Sequence, residues 1–89
     1  MLKIRYSNQF KKDFKKARNL PLPDLKTIFE VISTLEKNSI LNKKYKDHEL
    51  SGNWEKFREC HIKPDLLLIY KVNSDELQLA RLGSHSDLF

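Results

Sequence analysis

Apolar residues along this chain change their spacing once, and the change divides it into a helical half and a strand half. Leu2-Lys3-Ile4-Arg5-Tyr6 alternates apolar and polar positions, so it reads as a short strand. Ser7 is a suitable N-cap, and after it Phe10, Phe14 and Ala17 recur at helical spacing. Lys11, Lys15 and Arg18 form a basic stripe on that helix, with Lys12 and Lys16 beside it. Leu20-Pro21-Leu22-Pro23 ends the helix, because proline lacks an N–H and disfavours helix in the residue before it. A second helix is predicted from Pro23-Asp24, with Leu25, Ile28, Phe29, Ile32 and Leu35 as its buried stripe. The two helices form a hairpin within residues 7–38.

Residues 38–52 have no clear period and read as a loop, closed by a Ser51-Gly52 turn. Strand patterns follow. Trp54 to Ile62 is predicted as a strand, and Lys63-Pro64 as a turn. Leu66-Leu67-Leu68-Ile69-Tyr70-Lys71-Val72 is apolar at odd and even positions alike, which predicts a central strand covered on both faces. Asn73-Ser74-Asp75 turns the chain into a last strand, Glu76 to Leu82, which Gly83 interrupts. The predicted fold is α+β: an N-terminal strand, a two-helix hairpin, then an antiparallel meander with the helices on one face of the sheet. The chain shows no repeat and no linker, so 1–89 is one domain with room for one modest core.

Composition narrows the class. A net charge of +5 with 33% charged and 39% hydrophobic residues describes a folded basic protein. No apolar run is long enough to span a bilayer, and Met1 to Tyr6 has no apolar signal core. The one cysteine, Cys60, cannot form an internal disulfide and fits a reducing cytoplasm. Positive charge favours an acidic partner such as nucleic acid. Residues 1–20 carry seven basic side chains against the single acidic Asp13, which makes this stretch the basic patch.

The candidate chemistry lies in the strand half. All three histidines, His48, His61 and His85, fall there with Asp65, Arg81 and Phe89. A hairpin between the strands before and after Lys63-Pro64 brings His61 near Asp65. Arg81, His85 and Phe89 are four apart, so an extended segment would hold them on one face, with Gly83 leaving space for a ligand backbone. Each residue also has a plain reading. A histidine can be a surface residue, Arg81 can pair with a carboxylate, and Phe89 can be a frayed end or a core plug. Trp54 and Cys60 suit packing, and the lysine stripe suits a solvated face. Co-occurrence in one region is what favours a site. Zinc ligation is disfavoured: the histidines are 13 and 24 residues apart, with no His-x-x-x-His or Cys-x-x-Cys pair, and Arg81 adds positive charge nearby.

Four blocks occur in order: Lys46-Asp47-His48-Glu49-Leu50; Gly52-x-Trp54; Phe57-Arg58-Glu59-Cys60-His61-Ile62-Lys63-Pro64-Asp65-Leu66-Leu67-Leu68-Ile69-Tyr70; and Arg81-Leu82-Gly83-Ser84-His85. Together they resemble the YafQ branch of the RelE/ParE toxin superfamily. The motif covers the second half, while the first half matches in its pattern of helices and charge. The resemblance implies a RelE-like fold and the toxin of a toxin–antitoxin pair, an endoribonuclease that cuts mRNA on the ribosome. It also implies an acidic antitoxin partner, no cofactor and no metal. In such enzymes the ribose 2′-OH attacks the adjacent phosphate, giving a 2′,3′-cyclic phosphate and a free 5′-OH. That reaction needs a base, an acid and positive charge on the phosphorane. Histidine, with an ordinary pKa of about 6.5, exchanges protons near neutrality, and arginine stays charged.

By resemblance, His48, His61, Asp65, Arg81, His85 and Phe89 occupy active-site positions. His85 would lead the acid–base work, with His48 and His61 assisting. Arg81 would stabilise the phosphate, Asp65 would orient a histidine or move a proton, and Phe89 would stack on a base. Lys11, Lys12, Lys15, Lys16 and Arg18 would face RNA or ribosome. Leu66 stands where relatives can carry tryptophan, so that aromatic contact is missing. Two rivals remain: a basic module that binds RNA or an acidic protein without catalysis, and a gyrase-directed toxin of the same superfamily. Three titratable rings argue against the second.

Overall fold

The doubly apolar run is the middle strand of a five-stranded sheet in the computed structural model, which describes all 89 residues. The strands are β1 (Lys3–Tyr6), β2 (His48–Glu49), β3 (Arg58–Lys63), β4 (Leu66–Asn73) and β5 (Glu76–Gly83), in the order β1-β5-β4-β3-β2. β1 runs parallel to β5, and every other neighbouring pair is antiparallel. Two helices follow β1: α1 (Asn8–Ala17) and α2 (Leu22–Glu36). A one-turn helix, α3 (His85–Leu88), closes the chain.

β4 is central because both its faces find apolar cover. Leu68 and Tyr70 join Cys60, Ile62, Leu77, Leu79 and Leu82 beneath Phe10, Ile28, Val31 and Leu35 of the helical hairpin. Leu67 and Ile69 point the other way, into a smaller cluster with Trp54, Phe57, Leu50 and Leu88. Fully burying a leucine or isoleucine is worth about 1.5–3 kcal/mol, so an alternating strand would forfeit half of what β4 gains.

Local chemistry fixes the element ends. Ser7 caps α1 by accepting the Phe10 N–H at 2.9 Å. At the end of α2, Asn38 adopts the left-handed conformation, φ 56°, that asparagine tolerates past a helix end. α1 then takes over the edge of β5 where β1 stops. The Ser7 hydroxyl donates to the Ala80 carbonyl at 2.7 Å, and the Asp13 carboxylate accepts the Leu82 N–H at 3.0 Å.

Phe29 is 54% exposed and Val31 takes its place in the buried stripe of α2, and three further sequence expectations need correction. Trp54 does not begin a strand; it lies in a 3-10 turn, Gly52–Trp54, and β3 starts at Arg58. There the indole packs edge-on against Phe57. The loop between the helices and β3 is also more structured than its lack of period suggested. It holds a 3-10 turn, Lys43–Tyr45, and the two-residue strand β2, whose His48 pairs with Glu59. Third, the extended segment stops at Gly83 and does not run on to Phe89. Ser84 accepts the Asp87 N–H at 3.2 Å while the Asp87 carboxylate accepts the Ser84 N–H at 3.1 Å, a capping box that starts α3. Arg81, His85 and Phe89 therefore do not share a strand face.

Candidate active site

Alternation along β3 sends Cys60 and Ile62 under the helices and turns Glu59 and His61 to the opposite face. Register sets what lies beside them: Glu59 between His48 and Ile69, and His61 beside Leu67, which in turn pairs with Gly83. Past Gly83 the chain folds back over β4 as α3, with Leu88 seated on Leu67 and Ile69. That return brings the three imidazoles into a row. Ring centroids are 6.0 Å apart for His48 and His61, and 5.8 Å for His61 and His85.

Each imidazole has a defined partner. His85 Nδ1 lies 2.7 Å from Asp65 Oδ1, and the same oxygen accepts the His85 backbone N–H at 2.9 Å. Those backbone and ring hydrogen bonds hold the Asp65 carboxyl below its ordinary range, so it is an acceptor. Nδ1 of His85 therefore carries the proton and Nε2 is left for exchange with a substrate. His48 Nδ1 lies 2.7 Å from the Lys46 carbonyl, which can only accept, so Nδ1 carries a proton while Nε2 faces Glu59. That Nε2 is 3.4 Å from Glu59 Oε1, and His61 Nε2 is 3.3 Å from the same oxygen.

Glu59 is the residue the sequence reading missed. It is 4% exposed, so the two imidazoles converge on a buried carboxylate. The signal was available: Glu59 is two residues before His61 in a strand and must share its face. Nε2 of His48, Nε2 of His61 and a Glu59 oxygen lie within 4.8 Å of one another, a nitrogen–nitrogen–oxygen set that suits a zinc- or copper-like ion. The Lys46 carbonyl would orient the His48 ring as a supporting partner does in such sites. Spacings of 13 and 24 residues keep the histidines apart in sequence only, because the sheet makes neighbours of β2 and β3.

Asp47 supports this corner. Its Oδ1 accepts from the Tyr70 hydroxyl at 2.6 Å and from Arg58 Nε at 3.2 Å. Burial, then the Asp47 contact, pushes the Tyr70 hydroxyl well above its usual range, so it stays a donor. Cys60 is inert, because burial first and the charges of Asp47 and Glu59 next push its thiol up to about 12.

Arg81 pairs with α1 and not with an imidazole. Its Nε donates to Asp13 Oδ2 at 2.8 Å and its Nη2 to Asp13 Oδ1 at 3.3 Å. It lines a groove of about 430 Å³ between α1, the β3–β4 turn and α3, with Lys16, Lys63 and Asp65 at its walls. The ion pair that the plain reading of Arg81 allowed is therefore present. Gly83 does not leave room for a ligand: a β-carbon there would lie 3.1 Å from Asp87 of the same chain. Phe89 is 62% exposed at the end of α3. Lys11, Lys12, Lys15 and Lys16 on α1 and Arg18 at its C-cap are all exposed, and Lys16 alone among them borders the groove.

A helical hairpin on one face of a mostly antiparallel sheet, with a histidine row on the other, defines the RelE-like α+β class. The model of the YafQ family, described as the bacterial toxin of type II toxin–antitoxin systems, matches residues 2–89, and the chain belongs to that family. It is 38% identical over 87 residues to the mRNA interferase toxin YafQ of Escherichia coli K12, covering 97% of this chain and 94% of that one. A copper-bound mutant toxin from Helicobacter pylori is 49% identical with a TM-score of 0.87, covering 100% of both chains. The E. coli DinJ-YafQ toxin-antitoxin complex contains a chain 35% identical, TM-score 0.82, covering 100% of this chain and 99% of that one. No helix is long and apolar enough to cross a membrane.

Proposed function

We propose that this toxin is an endoribonuclease that cuts mRNA on the ribosome, with the ribose 2′-OH attacking the adjacent phosphate to leave a 2′,3′-cyclic phosphate. The observation that carries the reading is the Asp65–His85 pair, 2.7 Å between Oδ1 and Nδ1, with His61 one ring away. It leaves His85 Nε2 open for a proton. Support comes also from the E. coli relative, which is named an mRNA interferase. His85 is the leading acid–base residue, His61 and His48 supply the second proton carrier, and Arg81 stabilises the charge that gathers on the phosphorane. Phe89 is exposed where a base could stack on it. Lys11, Lys12, Lys15, Lys16 and Arg18 hold the RNA or ribosome, so binding weakens with salt by a log–log slope of about −0.7 per contact for single strands. An antitoxin partner is supported by the E. coli complex of DinJ with YafQ, and on this chain an acidic one covers the basic helix or the sheet edge. The toxin works in the cytoplasm, where its mRNA substrate is.

The test is His85→Ala. Cleavage of ribosome-presented mRNA should fall by about 10²–10⁴-fold while ribosome affinity stays near that of the parent. Unchanged cleavage by the variant would remove His85 from the chemistry, and absence of cleavage by the parent would return the protein to the non-catalytic binding module or the gyrase-directed toxin. End analysis of the product should find the cyclic phosphate.

A second reading rests on the His48–Glu59–His61 set and the copper-bound relative. In it, these three residues hold a divalent ion that supplies Lewis acidity beside the phosphate. Chelation separates the two on a minimal RNA substrate: EDTA leaves the histidine mechanism intact and abolishes the metal-dependent one.

A further inference from the structure

Asp13 is the only acidic residue in the basic first helix, and its carboxylate is nearly buried, with 9% of its side chain exposed. It accepts four hydrogen bonds. Gln9 Nε2 and Arg81 Nη2 reach Oδ1 at 3.3 Å each, and Arg81 Nε and the Leu82 N–H reach Oδ2 at 2.8 and 3.0 Å. Burial pushes the Asp13 carboxyl up, but the Arg81, Leu82 and Gln9 hydrogen bonds outweigh it and leave the group below its ordinary range. One reading of this site is wholly structural: Asp13 satisfies a buried N–H on the open edge of β5.

The geometry of the guanidinium points further. A guanidinium has five N–H donors arranged on two usable edges. Asp13 takes the side edge, Nε and Nη2, in a fork. Nη2 also lies 3.5 Å from the Asp87 carbonyl of α3, and Nη1 makes no hydrogen bond within the protein. Nη1 is thus left without a partner in the protein, on a side chain that lines the groove with Lys16 and Asp65. A long flexible side chain has been turned into a fixed donor with one nitrogen free.

We infer that Asp13 is a positioning residue for RNA cleavage, acting through Arg81: it holds the guanidinium between α1 and α3 with its Nη1 edge presented to the substrate phosphate. This rests on the proposed nuclease function and on the role given there to Arg81. Asp13 contributes orientation and not attraction, since its own charge opposes a phosphate. Removing it should therefore lower the rate at saturation more than the apparent affinity.

The experiment is single-turnover cleavage of ribosome-presented mRNA by Arg81→Ala, Asp13→Asn and the double variant, at a temperature well below each melting point. Arg81→Ala alone tests the underlying reading; if it cleaves at the parent rate, Arg81 has no catalytic role and the inference falls with it. With Arg81→Ala impaired, Asp13→Asn should reduce the maximal rate about 10–10²-fold with the half-saturating concentration little changed, the scale expected of a displaced catalytic group. The double variant should match Arg81→Ala, because Asp13 acts only through that side chain. An additive double variant, or a parent-like maximal rate in folded Asp13→Asn, leaves only the edge-capping role and overturns the inference. Should Asp13→Asn fail to fold, Asp13→Glu keeps the charge and shifts the fork, and the same comparison with Arg81→Ala applies. Gln9→Ala touches Asp13 but not Arg81, and should cleave at the parent rate.

Discussion

Asp87 fills the space that Gly83 leaves: a β-carbon on Gly83 would lie 3.1 Å from both Cβ and Oδ2 of Asp87. Asp87 Oδ2 is the atom that accepts the Ser84 N–H and closes the capping box, so a methyl group strikes the device that starts α3. Gly83→Ala should shift α3 and with it His85. We expect cleavage to drop at least tenfold, in line with the cost of small misplacements, while β5 and the core hold. Cleavage rate and circular dichroism melting, measured on one preparation, check this; parent-like cleavage would show that α3 tolerates the displacement.

Asp65→Asn tests the tautomer of His85. The parent carboxylate only accepts, so it keeps the proton on Nδ1 and the lone pair on Nε2. An amide can donate, which allows the ring to turn over its tautomer and place the proton on Nε2. Cleavage should fall about 10²-fold or more, the value of one general acid–base group. Both side chains are exposed, so the melting temperature should stay near the parent's. An Asp65→Asn protein that cleaves normally would mean that Asp65 does not set the ring.

Tyr70→Phe removes the buried hydroxyl that donates to Asp47 at 2.6 Å. Asp47 adjoins His48, and its remaining side-chain partner is Arg58. A hydrogen bond to a charged group is worth about 1.5–3 kcal/mol, so urea denaturation should show a loss of that order. A neutral effect would mean that water or Arg58 fully replaces the hydroxyl.

Acid should weaken the fold partly through Asp13. Its folded carboxyl titrates below the ordinary 3.8, so its contribution is complete above about pH 3.8 and is lost as pH falls through the folded value. Asp13→Asn has no such contribution to lose. Between pH 5 and pH 3 the parent's denaturation midpoint should therefore fall more than the variant's. Equal falls would place the acid sensitivity on other carboxylates.

Sequence alone determined the element types, because periodicity is a local property. The alternation of Leu2–Tyr6, the 3.6-residue stripe of Leu25 to Leu35 and the doubly apolar Leu66–Val72 each select one backbone form, although Tyr6 and Phe29 are exposed and Val31 is buried in the place of Phe29. It also named every imidazole of the row, since histidines are few and cluster after residue 47. Tertiary structure decided what those imidazoles meet. Glu59 became the shared carboxylate of His48 and His61 only when β2 and β3 paired. Asp13 and Arg81 lie 68 residues apart and meet only because β1 stops short and α1 closes the edge of β5. The turn of the chain at Ser84 depended on a four-residue capping box, too short for any period to reveal, and it moved His85 off the strand face and beside His61.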